Sequence, residues 1–228
     1  MTLVATPSME AQSAQPSQSQ PSQSQMDPNA GTATPSLQFP RQGEWGYEHW
    51  VNFPNDGWKY EIIDGVLYVS PPPLIDHQRI LIMLVTQMHE HARRRRLGTV
   101  LCAPCGVRLP GQPVPVEPDI LFVRRERLSI LAERYVEGAP DLLVEILSPS
   151  NATYDLETKY ALYERAGVAE YWVVIPWEKL VRVYALAEGR YRLVGEYGPG
   201  QAASSAVLDN FSTAVNNLFE LEMGSEDV

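Results

Sequence analysis

The feature that most constrains the fold is a short apolar run, LLVEIL at 142–147, which contains one glutamate. Pro140 precedes the run and Ser148-Pro149 follows it, so the segment has the length of a strand rather than a helix. A nearly continuous apolar strand is typical of a sheet that is covered on both faces. The run therefore predicts a central strand with other elements packed on each side of the sheet.

Patterns on either side of this run predict strands interleaved with helices. The segment 60–69, YEIIDGVLYV, centres on Asp64-Gly65, a dipeptide favoured in hairpin turns, and predicts two antiparallel strands. Apolar residues at helical spacing predict a helix from Asp76, as its N-cap, to about Leu97, with Gly98 ending it. Further strands are expected at 100–109, 120–123, 171–175, 180–186 and 191–194, and further helices at 128–137, 155–166 and 213–221. The predicted fold class is α/β, or α+β mixed, with a mixed central sheet flanked by helices.

The composition divides the chain into a tail and a domain. Residues 1–40 are rich in Gln, Ser and Pro and predict a disordered tail, whereas 41–228 has regular apolar positions and predicts one folded domain. No apolar run approaches the roughly 20 residues that cross a bilayer, and the N-terminus lacks the features of a secretory signal. We therefore expect a cytoplasmic protein. A lone CxxC, Cys102 to Cys105, is too little for a disulfide framework or a zinc site.

The charge balance limits how the chain could bind nucleic acid. A formal net charge of -10 opposes long-range attraction to a polyanion, so any such binding must depend on a local basic patch. Arg93, Arg94, Arg95 and Arg96 form one candidate patch in the last turn of the predicted helix. They could contact phosphate, or they could simply be a solvated helix end whose carbonyl groups positive charge stabilises.

Glu145 gives the first indication of chemistry, because it is an ionisable residue inside an apolar strand. Burial of a carboxylate without compensation costs several kcal/mol, or raises its pKa until the group is neutral. We therefore expect a metal ion, a lysine or strong hydrogen-bond donors to face it. A purely structural ion pair would meet the same requirement, so Glu145 alone leaves both interpretations open.

Two more residues fit the same setting. Asp119 follows a proline at the start of the predicted strand 120–123, so its carboxylate either points out of the sheet or belongs to an ordinary turn. Lys159 shares a predicted helix face with Leu156 and Tyr163, so its ammonium either points inward or extends to water. Two carboxylates can hold Mg²⁺ or Mn²⁺, and a lysine can stabilise transition-state charge, which suits phosphodiester hydrolysis.

Five segments form a pattern of defined order and spacing. They are YEIIDGVL at 60–67, DHQRI at 76–80, VEPDILFV at 116–123, GAPDLLVEILSPS at 138–150 and DLETKYALYERAGVAEYWVV at 155–174. Together they resemble the Uma-two family of restriction endonucleases, a branch of the PD-(D/E)XK nuclease superfamily. The resemblance runs from about Tyr60 to Phe219 and implies a restriction-endonuclease-like mixed sheet flanked by helices.

The resemblance also implies the site residues. Pro118-Asp119 matches the PD of the superfamily motif, Glu145 matches the acid of the second half-motif, and Glu61 resembles a further acidic residue from the N-terminal part. The usual lysine, two residues after the second acid, is replaced here by Leu147. Lys159 of the next helix resembles a migrated replacement, and the site would be inactive if it did not reach Glu145.

The expected protein is a Mg²⁺- or Mn²⁺-dependent endonuclease that hydrolyses DNA. Glu61, Asp119, Glu145 and Lys159 would be catalytic, and Asp119 and Glu145 would bind the metal. His77 matches a family histidine that binds phosphate or orients the site, although helix capping is an alternative role. A homodimer would suit cleavage of both strands of a duplex. The alternatives are an inactive nuclease fold that serves as a binding or scaffold protein, with a structural ion network, and a hydrolase of another phosphoester.

Overall fold

A computed structural model describes residues 39–149 and 154–220, so all but the last two residues of the predicted tail lie outside the described residues. The first part contains α1 (Tyr47–Trp50), β1 (Lys59–Ile63), β2 (Val66–Ser70) and α2 (Ile75–Arg95). The middle contains β3 (Gly98–Cys102), β4 (Val107–Arg108), β5 (Ile120–Arg124), a 3₁₀ helix (Arg125–Ile130), β6 (Val136–Glu137) and β7 (Leu142–Ile146). The last part contains a π-helical segment (Tyr154–Lys159), α3 (Tyr160–Ala166), β8 (Glu170–Ile175), a 3₁₀ helix (Pro176–Glu178), β9 (Leu180–Ala187), β10 (Arg190–Tyr197), β11 (Ala202–Ser204), β12 (Ser212–Ala214) and α4 (Val215–Phe219).

A six-stranded mixed sheet forms the centre of the domain. Its strand order is β10-β9-β8-β7-β5-β3, in which β7 and β8 are parallel and the other neighbours are antiparallel. The apolar run at 142–147 supplies β7, an interior strand, as predicted. Ile120 of β5 lies opposite Val144, and Glu145 lies opposite Val173 of β8. This register brings the start of β5 next to the end of β7.

Two apolar clusters cover the two faces of the sheet. Leu142, Val144 and Ile146 belong to the cluster that contains the buried side of α2, while Leu143 and Leu147 belong to the cluster that contains α3. Burial of each such side chain stabilises the fold by about 1.5–3 kcal/mol. Because side chains alternate along a strand, Glu145 projects to the same face as Leu143 and Leu147. The glutamate therefore points towards α3.

The long helix α2 differs from its predicted bounds at both ends. It begins at Ile75 with Leu74 as the N-cap, so Asp76 lies inside the first turn, where its carboxylate accepts a hydrogen bond from Arg79 at 3.1 Å. Arg96, in a left-handed conformation, ends the helix, and Gly98 instead begins β3. A Cβ at Gly98 would collide with the backbone of β5, which explains the glycine. No helix in residues 39–149 and 154–220 is long and apolar enough to cross a membrane.

Two other predictions were wrong because tertiary pairing overrides local propensity. The helix predicted at 128–137 is replaced by the 3₁₀ helix and β6, whose Val136 N–H donates to the Gly106 carbonyl at 2.9 Å. The strand predicted at 100–109 is divided between β3 and β4, which belong to different sheets. The hairpin prediction is confirmed, since Asp64 and Gly65 both have positive φ at the turn between β1 and β2.

Candidate active site

The four predicted catalytic residues line one cavity of about 760 Å³. Glu61 comes from β1, Asp119 from the residue before β5, Glu145 from β7, and Lys159 from the end of the π-helical segment. Because β5 runs antiparallel to β7, the residue before β5 reaches the level at which β7 ends. Residues distant in sequence therefore meet at one end of the sheet.

Lys159 lies between the carboxylates of Glu145 and Glu61. Its Nζ is 2.9 Å from Glu145 Oε1 and 3.4 Å from Glu61 Oε2, and the side chains of all three are almost fully buried. The Tyr163 hydroxyl donates to the same Glu145 oxygen at 2.6 Å. Burial and the nearby Glu145 carboxylate raise the pKa of Tyr163 well above its ordinary value, so it remains a hydrogen-bond donor. Lys159 therefore reaches Glu145 from the helical segment that follows β7.

Glu61 is held by donors from three parts of the chain. Its Oε1 accepts a hydrogen bond from the Glu117 N–H at 3.1 Å, and its Oε2 accepts one from the Tyr154 hydroxyl at 3.3 Å. Lys59 Nζ also lies 3.4 Å from Oε2. Burial opposes the ionisation of Glu61, but the ammonium groups of Lys159 and Lys59 outweigh it and hold the pKa below its ordinary value. Glu61 is therefore a carboxylate at neutral pH.

Asp119 is oriented by one backbone group and one histidine. Its Oδ2 accepts a hydrogen bond from the Ile146 N–H at 2.7 Å and lies 3.1 Å from His77 Nε2. Burial opposes the ionisation of Asp119, but the contact with His77 lowers the pKa below its ordinary value. An ionised carboxylate can only accept, so the His77 Nε2 donates to it. Within the described part of the chain, Asp119 Oδ1 accepts no hydrogen bond.

His77 contacts Asp119 and does not cap its helix. It lies in the first turn of α2, where Leu74 is the N-cap and no side chain caps the helix. The ring is mostly buried, and its Nδ1 has no hydrogen-bond partner among the described residues.

The structure does not bring Arg93, Arg94, Arg95 and Arg96 to the cavity. They lie at the opposite end of α2 from His77, which is about 24 Å along the helix axis. Arg95 donates to the Asp209 carbonyl at 2.8 Å, and none of the four lines the cavity. A phosphate contact by these arginines remains a prediction, at a place separate from the cavity.

Three residues of the site were missed by the sequence patterns. Lys59 lies two residues before Glu61 on β1, and side chains at this spacing project from the same face of a strand. Tyr163 lies four residues after Lys159, so it shares the inward face of one helix. Both spacings can be read from the sequence and could have indicated Lys59 and Tyr163. Tyr154, whose ring lies 5.1 Å from Lys159 Nζ, had no such local signal.

Among the described residues, no three His, Cys, Asp or Glu side chains form a group that could hold a metal ion by themselves. Asp119 and Glu145 are nevertheless a pair of oxygen donors that line the same cavity from neighbouring strands. Mg²⁺ is often bound through one or two carboxylates, with water and substrate phosphate as its other ligands. The donor set therefore fits a hard divalent cation that shares its coordination with substrate.

Comparisons with known proteins agree on the family and the fold. The family described as "Uma2: Putative restriction endonuclease" matches residues 46–216. The crystal structure of a "putative nuclease belonging to DUF820" from Anabaena variabilis is similar, with a TM-score of 0.61 at 19% identity, over 75% of this chain and 96% of that chain. No curated protein matches the chain. The match over residues 46–216 shows that the chain belongs to the Uma2 family.

Proposed function

We propose that this chain is an endonuclease that hydrolyses DNA phosphodiester bonds with Mg²⁺ or Mn²⁺. The observation that carries the proposal is the buried Lys159, which contacts Glu145 and Glu61 in a cavity that Asp119 also lines. Asp119 and Glu145 as metal ligands, together with the Lys159 cation, have the chemistry that a metal-dependent nuclease requires. Membership of the Uma2 family supports the same activity.

Asp119 and Glu145 would hold the metal ion. The Asp119 pKa is low, so the residue is ionised, and its Oδ1 is not engaged by the described residues. When bound, the ion supplies Lewis-acid polarisation of the phosphoryl group and lowers the pKa of water. His77 and the Ile146 N–H fix the orientation of Asp119, and such supporting contacts are commonly needed to hold a metal ligand in place.

Lys159 would stabilise the negative charge that develops on the phosphoryl oxygens. A buried ammonium is effective in this role because the surrounding protein screens charge less than water does. Glu61 and the Tyr163–Glu145 pair hold the lysine in position, since Lys159 contacts both carboxylates. Glu61 is thus a positioning residue in this mechanism, and Lys159 is the group that meets the substrate.

A second function is compatible with the same contacts. An ion network of Glu61, Glu145 and Lys159 could simply stabilise a nuclease fold that has become a scaffold, because the charges already neutralise one another. That protein would bind no metal at the site and would cleave nothing. Metal binding therefore separates the two functions, since the ion pairs are common to both.

The test combines Mn²⁺ calorimetry with cleavage of circular double-stranded and single-stranded DNA. Asp119→Asn keeps the size of the side chain but removes its charge, so we expect Mn²⁺ binding at least about tenfold weaker and cleavage reduced at least about a hundredfold. The matched control is Asp141→Asn. Asp141 is also buried and accepts a backbone N–H, that of Arg124, at 2.8 Å, but it precedes β7 at the opposite end from the site.

Asp141→Asn should retain Mn²⁺ binding and cleavage at a temperature where it is folded. Circular dichroism of both variants would check the fold. Wild-type protein that neither binds Mn²⁺ nor cuts either DNA circle would contradict the nuclease and favour the scaffold. Cleavage of a small phosphodiester that short DNA does not inhibit would instead indicate a hydrolase of another phosphoester.

A further inference from the structure

The geometry points to single-stranded or locally unpaired DNA as the substrate, with one base stacked on Trp58 at the mouth of the cavity. This inference rests on the proposed function, because it names the class of substrate for that site. Trp58 lines the cavity together with Glu61, Asp119 and Lys159, and its side chain is 49% exposed. A large aromatic side chain left half exposed beside a polar site is a common feature of ligand-binding surfaces.

The indole of Trp58 has no partner of its own within the described residues. Its ring contacts no other aromatic ring there, and its Nε1 donates no hydrogen bond; only its backbone N–H is engaged, with Asp56 Oδ1 at 3.0 Å. The other exposed tryptophan, Trp177, donates from its Nε1 to Glu178 at 3.3 Å and does not line the cavity. The Trp58 ring is thus available for a ligand to cover.

The exposed residues that line the cavity are mainly apolar. They include Pro71, Pro72, Pro73, Leu74 and Pro104, with Asn55 and Gln78 as exposed polar side chains. The prolines and Leu74 offer apolar surface for nucleobases and carry no positive charge. Base stacking on aromatic side chains is how proteins bind single strands with little dependence on sequence, because every base has a π-face.

Few positive charges are available for a duplex at this site. Among the described residues, Lys59 and Lys159 are the lysines that line the cavity and no arginine lines it. Lys159 is also paired with two carboxylates. Duplex binders neutralise many phosphates, and the net charge of -10 works against that mode. The arginines at 93–96 lie about 24 Å away along α2, which is about three Debye lengths at physiological salt.

Lys59 is next to Trp58 in sequence and close to Glu61 in space. It follows Trp58 directly in sequence, its side chain is about one quarter exposed, and its Nζ lies 3.4 Å from Glu61 Oε2. Trp58, Lys59 and the carboxylates line the same cavity, so a nucleotide stacked on Trp58 would enter the space that holds the reacting groups. A paired base cannot reach the indole without leaving its stack, which disfavours intact duplex.

The test is fluorescence anisotropy of a labelled oligonucleotide, single-stranded and annealed, with Ca²⁺ present and with strand integrity checked on a gel. We expect the wild type to bind the single strand at least about tenfold more tightly than the duplex. Trp58→Ala should weaken single-strand binding at least about fivefold, the low end for one stacked base, whereas Trp58→Phe should retain most of it. Trp177→Ala, a change to a tryptophan of similar exposure outside the cavity, should leave the affinity unchanged.

Salt dependence gives an independent readout. With one or two phosphates neutralised, the slope of log K against log salt for the single strand should be about -0.7 to -1.4. A slope steeper than about -3 would mean that phosphate contacts dominate and would overturn the stacking mode.

The outcomes for the substrate and for the catalysis are separable. Equal affinity for single strand and duplex, no oligonucleotide binding, or no effect of Trp58→Ala would overturn this inference, even if DNA circles are cut and the nuclease stands. Single-strand binding that depends on Trp58, in a protein that cuts neither circle, would support the inference and contradict the proposed catalysis.

Discussion

Two buried glutamates on neighbouring parallel strands show how differently one residue type can be used. Glu145 on β7 is 2% exposed and Glu170 on β8 is fully buried. Neutral donors surround Glu170: Trp172 Nε1 donates to its Oε1 at 2.6 Å, and the N–H groups of Ala206 and Val207 donate to its Oε2 at 2.7 and 3.1 Å. Glu145 instead contacts the Lys159 ammonium and lines the cavity.

Glu145 and Glu170 are both buried, but they differ in their hydrogen-bonding and ionic partners and in their access to the cavity. Backbone N–H groups and an indole satisfy Glu170 in a closed environment, so its carboxylate ties the chain after β11 to the sheet. Glu145 depends on a cation and faces a space where substrate or metal can enter. A buried carboxylate alone therefore does not indicate a site; the charged partner and the open cavity distinguish Glu145 from Glu170.

The largest expected effect is the loss of stability in Lys159→Met. The substitution leaves Glu145 and Glu61 buried beside each other without the ammonium that both contact, which should reduce the free energy of unfolding by about 3–5 kcal/mol. Urea unfolding followed by circular dichroism measures this change. Lys179→Met, at an exposed lysine, should change stability by less than about 0.5 kcal/mol. Equal effects of the two substitutions would show that Lys159 does not compensate buried charge.

Glu145→Gln should separate activity from stability. The amide keeps the size of the side chain but cannot act as an anionic ligand, so DNA cleavage should fall at least about a hundredfold. Unfolding should change less than in Lys159→Met, because Glu61 still pairs with the lysine. The same assay on Glu170→Gln provides the comparison, and its cleavage rate should stay within about fivefold of wild type at a temperature where it is folded. Comparable loss in both variants would remove the distinction between the two glutamates.

Glu170→Gln should lower stability instead. One end of the amide is a donor, so at least one of the three N–H groups around residue 170 would lose its acceptor, at about 1–3 kcal/mol. Thermal or urea unfolding of the variant tests this, with Glu157→Gln on the exposed surface as the control. An unchanged unfolding midpoint would mean that the three donors find other acceptors or water.

The same two glutamates show what the sequence could predict. Glu145 was identifiable because it interrupts an apolar run, and this run also predicted the central strand. Glu170 gave no comparable signal, since it stands at the start of a strand, where polar residues are ordinary, and its donors at 206 and 207 are distant in sequence. Long-range pairing also explains why the helix expected at 128–137 was wrong, because Val136 bonds to Gly106.

Within the site, a residue could be predicted from the sequence only where a local pattern placed it. The inward direction of Lys159 was one of two possibilities on a helix face, and the structure places its ammonium against Glu145. The contacts of Glu61 with the Glu117 N–H and the Tyr154 hydroxyl join segments more than 50 residues apart. No periodicity connects such segments, so only the resemblance to a family indicated Glu61.

The smallest expected effect is a pH dependence that arises from Glu61. Lys159 and Lys59 hold its pKa in the folded protein below the ordinary value of 4.5, although burial opposes them and offsets much of their effect. Between the two pKa values the unfolded chain binds more protons than the native one, so the contribution of Glu61 to stability is complete above about pH 6 and is lost as the pH falls through the folded pKa. The difference in unfolding free energy between wild type and Glu61→Gln should therefore be constant from about pH 6 to 7. Below about pH 4 the wild type should lose stability relative to the variant. Urea unfolding of both proteins across this range measures it. If the wild type instead gained stability relative to the variant on acidification, Glu61 would be protonated in the folded protein. Glu61 would then be a neutral buried group and not an ionised partner of Lys159.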